Sequence, residues 1–97
     1  MRIIARKTLR EYWEIHNDCE QQLNAWYYEI AKSSYSSIND LKADYPSASI
    51  LKEGRIVFNI KGNKYRLIVK FSFEHQRCWI RFIGTHAEYD KINANEI

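Results

Sequence analysis

Three side chains in the second half of the chain, Arg66, Arg81 and His86, are of the types that could cleave a phosphodiester bond. A guanidinium group stabilises the charge of a pentavalent phosphorane, and an imidazole that titrates near neutrality can move a proton. Together they make the minimum set for metal-independent RNA cleavage, in which a ribose 2′-hydroxyl attacks the adjacent phosphate. The elements that carry these residues must therefore bring them to one place.

Two adjoining β-hairpins between residues 55 and 90 are predicted to position these side chains. Apolar and polar residues alternate on both sides of the turn at 61–64, which is typical of two paired strands. A two-residue loop at Gly62-Asn63 then fixes which residues lie opposite one another. The predicted pairs are Phe58–Leu67 and Ile56–Val69 on the apolar face, and Asn59–Arg66 and Arg55–Lys70 on the other face.

A third strand, Arg77 to Ile83, extends the charged face. A tight turn at His75-Gln76 would pair Phe71 with Ile80 and Lys70 with Arg81, so that Arg55, Lys70 and Arg81 form a row across three strands. Like charges directly opposite in a sheet destabilise it by a few tenths to about 1 kcal/mol per pair. A chain that tolerates such a row either holds an anion there, most commonly a polyphosphate backbone, or simply keeps a solvated sheet face. The charges alone leave both interpretations open.

The first half of the chain predicts two helices joined by a short link, and such a pair can lie on the sheet. The first helix begins at a capping box from Thr8 to Glu11, and Asp18 with Gln21 can cap the second. The other predicted elements are an opening strand at 2–5, a helical turn through 41–44 capped by Ser37 and ended by Pro46, an edge strand at 48–51, and a last short helix capped by Thr85 with Glu88.

The composition bounds what the chain can be. Its 97 residues, with a net charge of +3, predict a single domain over 1–97 whose nucleic-acid affinity must come from local clusters of charge, and residues from about 93 are expected to fray. No stretch is long enough to span a membrane and charges interrupt the start, so we expect a cytoplasmic protein. Cys19 and Cys78 are isolated thiols, no carboxylate cluster or Cys/His spacing indicates a metal site, and no cofactor is expected.

Two segments carry a resemblance to a known family. Residues 57–70, VFNIKGNKYRLIVK, and residues 80–90, IRFIGTHAEYD, are similar to the HigB-type mRNA interferase toxins of the RelE/ParE superfamily. The similarity covers nearly the whole domain, and it implies an α+β fold in which two N-terminal helices pack on a small antiparallel sheet. It also implies a toxin that cleaves translated mRNA without metal, usually in the ribosomal A site, and a helix-turn-helix antitoxin of HigA type as partner.

The resemblance also implies roles for individual residues. Arg66 matches the arginine that grips the scissile phosphate in RelE-like relatives. His86 stands where those relatives have a second catalytic arginine, and Asn59 where several have a lysine, so His86 is expected to transfer protons. Tyr89 and Asp90 match the Tyr-Asp pair at the end of this subfamily, and Tyr89 would orient the substrate. The predicted catalytic residues are Arg66, Arg81, His86 and Tyr89, and the predicted RNA contacts are Arg55, Asn59, Lys61, Lys64, Lys70 and Asp90.

Two other functions fit the same pattern. A toxin of ParE type would share the fold but inhibit DNA gyrase without cutting RNA. A plain RNA-binding module would bind without cutting, and its affinity would fall with salt according to the number of phosphate contacts.

Overall fold

A five-stranded sheet, with strands in the spatial order β1-β5-β4-β3-β2, is the frame of the molecule in a computed structural model that describes residues 1–97. The strands are β1 (Arg2–Ile4), β2 (Ser49–Ile50), β3 (Arg55–Ile60), β4 (Tyr65–Ser72) and β5 (Arg77–Thr85), and the helices are α1 (Arg6–Ile15), α2 (Glu20–Lys32), α3 (Ile38–Asp44) and α4 (His86–Asp90).

The fold is α+β, as predicted, but the sheet is mixed because β1 runs parallel to β5. The other strands are antiparallel to their neighbours, and β2 is the predicted edge strand. Alternate residues of β3, β4 and β5 point to one face of the sheet, where α1 and α2 cover them. No helix is long and apolar enough to cross a membrane.

The core is built from the apolar stripes of the two long helices and the inner face of the sheet. From α1 come Leu9 and Trp13, and from α2 come Leu23, Trp26 and Ile30, all of them buried. The sheet contributes alternate residues of its three central strands: Ile56, Phe58 and Ile60, then Leu67, Val69 and Phe71, then Cys78 and Ile80.

The predicted caps of the two long helices are wrong. α1 begins after Ala5, in a left-handed conformation with φ 77°, so Thr8 lies inside its first turn. A short 3₁₀ turn at Asn17–Cys19 joins the helices, and α2 begins after Cys19 without a side-chain cap. Asp18 is therefore free to point elsewhere.

The two short helices begin where the sequence predicts. Ser37 Oγ accepts a hydrogen bond from the Asp40 N–H at 3.3 Å at the start of α3. Thr85 and Glu88 form the predicted capping box at the start of α4: the Thr85 N–H donates to Glu88 Oε1 at 2.8 Å, and the Glu88 N–H donates to Thr85 Oγ1 at 3.1 Å. Because β5 leads directly into α4, this cap fixes the direction in which the chain leaves the sheet.

The end of the chain packs on the outer face of the sheet. Ala94 is buried against Val57 and Ile68, and this small cluster is completed by partly buried neighbours. Arg55 Nε donates a hydrogen bond to the main-chain oxygen of Ile97 at 2.8 Å, which ties the last residue to β3. The partly buried neighbours are Leu51, Phe82, Tyr89 and Ile92.

Candidate active site

The first hairpin has the predicted register. Asn59 lies opposite Arg66 and Arg55 opposite Lys70, and the two apolar pairs also form as predicted. The turn closes through a hydrogen bond from the Lys64 N–H to the Lys61 carbonyl at 3.2 Å, with positive φ at Lys61 (52°). Gly62 also has positive φ, 64°, a conformation that glycine adopts without a steric cost.

The second hairpin has a different register, and the predicted row of three cations is wrong. Lys70 lies opposite Trp79, not Arg81, and Arg66 lies opposite Gly84. The turn at 73–76 has four residues, where two were predicted. Farther along β5, Arg81 forms a β-bulge: residue 68 pairs with residue 82 and residue 69 pairs with residue 80, which leaves Arg81 as the extra residue between the two pairs. A bulge leaves its extra residue without a partner on the other strand, so Arg81 is unpaired and exposed.

Arg55, a predicted RNA contact, is a buried residue that hydrogen-bonds within the protein. It is 7% exposed, and its Nη1 donates to Glu53 Oε2 at 3.0 Å. The hydrogen bond from Arg55 holds the pKa of the Glu53 carboxyl below its usual value, and the charges of Arg55 and Lys70 lower it further. The negative charge of Glu53 therefore offsets the repulsion between Arg55 and Lys70, which lie opposite each other on β3 and β4. This pair of cations does not require an external anion.

Residues of the two hairpins and of α4 meet at the end of the sheet nearest the first turn. The Arg66 guanidinium carbon lies 5.8 Å from the centroid of the Tyr89 ring, within cation–π range. Arg66 Nη1 also donates a hydrogen bond to the Asn63 carbonyl at 2.9 Å. The main-chain N–H of His86 donates to the next carbonyl along the chain, that of Lys64, at 3.0 Å. Adjacent carbonyls of one turn thus anchor both predicted catalytic residues.

His86 and Asp90 form an exposed pair one helical turn apart. His86 Nδ1 lies 2.9 Å from Asp90 Oδ2, with 51% of the histidine side chain and 58% of the aspartate exposed. Because a carboxylate only accepts hydrogen bonds, a neutral imidazole in this pair carries its proton on Nδ1 and leaves Nε2 as a free acceptor. The residue types alone did not indicate this contact between Asp90 and His86.

The tip of the first hairpin is held by a residue that sequence reasoning assigned to a helix cap. Asp18 accepts hydrogen bonds from Lys64 Nζ and from the Tyr65 hydroxyl, the latter at 2.6 Å, and Lys61 Nζ lies 3.8 Å from its carboxylate. The pKa of Asp18 is lowered to about 2, chiefly by the hydrogen bonds from the side chains of Lys64 and Tyr65. The pKa of Lys64 is raised for the same reason. These partners are more than 40 residues from Asp18, so no local sequence signal could have found them.

The start of α4 rests on a tightly packed glycine. A Cβ at Gly84 would lie 2.5 Å from the Phe82 ring and 3.1 Å from Glu88 Oε1. The Glu88 carboxyl is the one that caps α4, and the hydrogen bond from the Thr85 N–H lowers its pKa. Gly84 thus allows the capping carboxyl to reach the end of β5.

The remaining predicted residues differ in their relation to this group. No hydrogen bond, ion pair or cation–π contact joins Lys70 or Arg81 to Arg66, His86 or Tyr89. Asn59 is adjacent to Arg66 through the strand pairing, and Lys61 and Lys64 are partly exposed at the hairpin tip. No group of three His, Cys, Asp or Glu side chains is placed to share a metal ion.

Comparison with known proteins identifies the family. Residues 19–92 match the sequence profile of a family described as "HigB_toxin, RelE-like toxic component of a toxin-antitoxin system". The "mRNA interferase toxin HigB" of Escherichia coli strain K12 is 35% identical over 96 residues, which cover 97% of this chain and 92% of that protein. The "mRNA interferase HigB" of Shigella flexneri gives the same values, and that of Escherichia coli O6:H1 is 26% identical over 95% of this chain and 91% of its own length. With these matches, and with an α+β fold that is consistent with them, the chain belongs to the HigB family of RelE-like toxins, the toxic components of toxin–antitoxin systems.

Proposed function

We propose that this toxin is an endoribonuclease that stops translation by cutting mRNA, with Arg66, His86, Tyr89 and Asp90 as its active site. The names of the relatives support the reaction, since they are mRNA interferases. The observation that carries the assignment of the site is the oriented His86–Asp90 pair, anchored on the same turn as the Arg66 guanidinium. A proton acceptor beside a fixed cation is what a 2′-hydroxyl attack on phosphorus needs.

In the proposed reaction, His86 Nε2 takes the proton of the ribose 2′-hydroxyl, and the new bond forms between the 2′ oxygen and phosphorus. The bond from phosphorus to the 5′ oxygen breaks, and solvent protonates the leaving oxygen. The products are a 2′,3′-cyclic phosphate and a 5′-hydroxyl end. Arg66 stabilises the charge on the equatorial phosphate oxygens, while the Tyr89 ring, half-buried beside it, supports the neighbouring base. Arg81 stays a predicted second cation for the phosphate.

The proposed substrate is message in the ribosomal A site, which sets the place of action in the cytoplasm. Lys61, Lys64 and Lys70 are the proposed contacts to RNA phosphates, with Asn59 beside the scissile position. Exposed ammonium groups suit this role because they release counterions from nucleic acid without requiring a fixed geometry. The proposed neutralising partner is a helix-turn-helix antitoxin of HigA type, in keeping with the toxin–antitoxin family.

The test is to induce the protein in growing cells and to map mRNA 5′ ends, comparing the wild type with Arg66→Ala and His86→Gln. We expect codon-associated cuts and growth arrest with the wild type, and neither with the two variants. Arg10→Ala and His75→Gln are the matched controls. Arg10 is exposed on α1, and His75 is exposed in the turn at 73–76, at the opposite end of β4 from the first turn, so both variants should cut normally.

Other outcomes would point elsewhere. Gyrase-linked DNA breaks without mRNA cuts would favour the ParE-type function, and binding without toxicity would favour the RNA-binding module. Folded Arg66→Ala and His86→Gln variants that stay fully toxic would show that the site is wrongly assigned.

A further inference from the structure

An aromatic cavity lies between α2 and β3, on the helix-covered face of the sheet. Its volume is about 190 Å³, and the side chains of Trp26, Tyr45 and Phe58 line it. Trp26 and Phe58 belong to the main core, whereas Tyr89 packs in the small cluster on the other face of the sheet. The aromatic cavity is therefore separate from the candidate active site.

A wider acidic hollow adjoins this cavity at Glu29, which lines both. The acidic hollow has a volume of about 760 Å³ and lies between the end of α2 and α3. Asp40 and Asp44 also line it, and Lys32 is its only cationic side chain. Three carboxylates against one ammonium group give the acidic hollow an excess of negative charge, although the whole chain has a net charge of +3.

The carboxylates of the acidic hollow are held in place but are not neutralised. The Tyr45 hydroxyl donates a hydrogen bond to Glu29 Oε2, and the Tyr35 hydroxyl donates one to Asp44 Oδ2 at 2.6 Å. Burial and these hydrogen bonds raise the pKa of both tyrosines, so their hydroxyls remain donors. Glu29, Asp40 and Asp44 form no ion pair within the protein. Their charges are therefore available to a cation from another molecule.

One wall residue of the aromatic cavity has a hydrogen-bond donor without an acceptor. Trp26 is 3% exposed, and its indole Nε1 has no partner. Buried donors are rarely left unpaired, because burying one without an acceptor costs free energy. A peptide segment in the cavity brings main-chain carbonyl groups, which are acceptors of the kind that this donor lacks.

We propose that the aromatic cavity and the acidic hollow together form a docking surface for a basic segment of the antitoxin. One apolar side chain of that segment would fill the cavity, whose volume is well below the roughly 300 Å³ of an ordinary ligand pocket. A neighbouring arginine or lysine would pair with Glu29 and Asp44. This inference rests on the antitoxin that the toxin–antitoxin family implies, and it does not depend on the proposed cleavage of mRNA.

The charge of the acidic hollow favours a basic protein segment over RNA. Surface carboxylates repel the phosphates of a nucleic acid, and Glu29 stands at the junction of the hollow and the aromatic cavity. A basic segment with one apolar side chain satisfies both parts of the surface, because each part then meets a group of matching chemistry.

The experiment measures the Kd between this toxin and the antitoxin whose gene adjoins its own, by titration calorimetry at low and high salt. The double variant Glu29→Gln with Asp44→Asn removes two charges and keeps an acceptor for each tyrosine hydroxyl. Ala25→Phe fills the aromatic cavity from an exposed position on α2. Glu20→Gln and Gln21→Phe are the matched controls, because both residues are exposed on α2 and line neither cavity nor hollow.

We expect the double variant to weaken antitoxin binding about tenfold or more and to lower its dependence on salt, because charge-assisted hydrogen bonds are lost. Ala25→Phe should weaken binding about tenfold or more at both salt concentrations, since the apolar side chain of the partner no longer fits. The two control variants should bind the antitoxin as tightly as the wild type.

The proposal fails if the double variant and Ala25→Phe both bind the antitoxin with the wild-type Kd, or if the wild type does not bind it. It also fails if these variants change only the self-association of the toxin, measured by light scattering, because the occupant would then be a second copy of the chain. Variants that bind the antitoxin normally but no longer cut mRNA would assign the surface to RNA or the ribosome instead.

Cleavage of mRNA without antitoxin tests the proposed function separately. We expect the double variant and Ala25→Phe to cut as the wild type does, because the docking surface and the candidate active site lie on opposite faces of the sheet. A wild type that binds the antitoxin but cuts no mRNA would refute the proposed function and leave the docking surface supported by the binding data.

Discussion

His86 Nδ1 and Asp90 Oδ2 lie 2.9 Å apart across one turn of α4, and this contact fixes which imidazole nitrogen is free. The same short helix carries Tyr89, so a single element of five residues holds the proposed base, its orienting carboxylate and an aromatic ring. The capping box at its start and the close packing at Gly84 fix the helix on the sheet. The positions of His86, Tyr89 and Asp90 therefore depend on the conformation of the chain at Gly84 and Thr85, where β5 ends.

Asp90→Asn should lower kcat without unfolding the protein. An amide can donate to Nδ1 as well as accept from it, so the imidazole would no longer be held with Nε2 free. We expect a loss no larger than that of His86→Gln, which should cost about 10²- to 10⁴-fold. Single-turnover cleavage across a range of pH measures both effects. Full activity in Asp90→Asn would show that the carboxylate does not orient the base.

Tyr89 should act through its ring, not its hydroxyl. The Arg66 guanidinium carbon lies 5.8 Å from the ring centroid, so Tyr89→Phe keeps both the cation–π contact and a stacking surface. We expect Tyr89→Phe to cut at close to the wild-type rate. Tyr89→Ala should lose about 1–3 kcal/mol of binding free energy for RNA, because one base no longer stacks on the ring. The ratio kcat/KM for the three proteins is the measurement. A Tyr89→Phe variant as inactive as Tyr89→Ala would instead assign the chemistry to the hydroxyl.

Asp18 should make stability depend on pH in the acid range. Its pKa is about 2 in the folded protein against an ordinary value of 3.8, so the unfolded chain binds a proton at a pH where the folded chain does not. The stabilisation is complete above about pH 4 and is lost as the pH falls towards 2. Thermal unfolding of Asp18→Asn from pH 5 to pH 2 should therefore give a shallower fall in Tm than the wild type. Parallel curves would mean that the contacts with Lys64 and Tyr65 contribute nothing to stability.

Arg55→Met should lower stability but spare cleavage. The substitution keeps much of the volume and removes the hydrogen bonds to Glu53 and to the main-chain oxygen of Ile97. The bond to Ile97 comes from a buried charged group, and such a hydrogen bond contributes about 1.5–3 kcal/mol, so we expect a loss of about that size in the free energy of unfolding by denaturant. Cleavage by the folded fraction should be normal. A folded Arg55→Met protein that no longer cuts RNA would instead support the prediction that Arg55 contacts RNA.

The sequence by itself determined the parts of the molecule that depend on residues close together in the chain. Alternation around Gly62-Asn63 was enough for the register of the first hairpin, because a short loop leaves few ways to align its strands. The caps at Ser37 and Thr85 also followed from a few neighbouring residues. His86 and Tyr89 were predicted to lie together because both follow the end of the third strand, whereas the role of Asp90 was predicted from the resemblance to the HigB-type toxins.

Only the tertiary structure decided the features that join distant segments. The four-residue turn at 73–76 set the register of the second hairpin, and the bulge at Arg81 shifted that register by one residue farther along the strands. Asp18 accepts a hydrogen bond from Lys64, which is 46 residues away in the sequence, and Arg55 donates one to Ile97, which is 42 residues away. Contacts of this kind depend on where the folded chain places two segments, and pairwise charge or hydropathy along the sequence carries no record of that placement. The fold thus separated cations that looked alike in the sequence. Arg55 is buried, Lys61 and Lys64 are held at the first turn by Asp18, and Arg66 lies beside the Tyr89 ring.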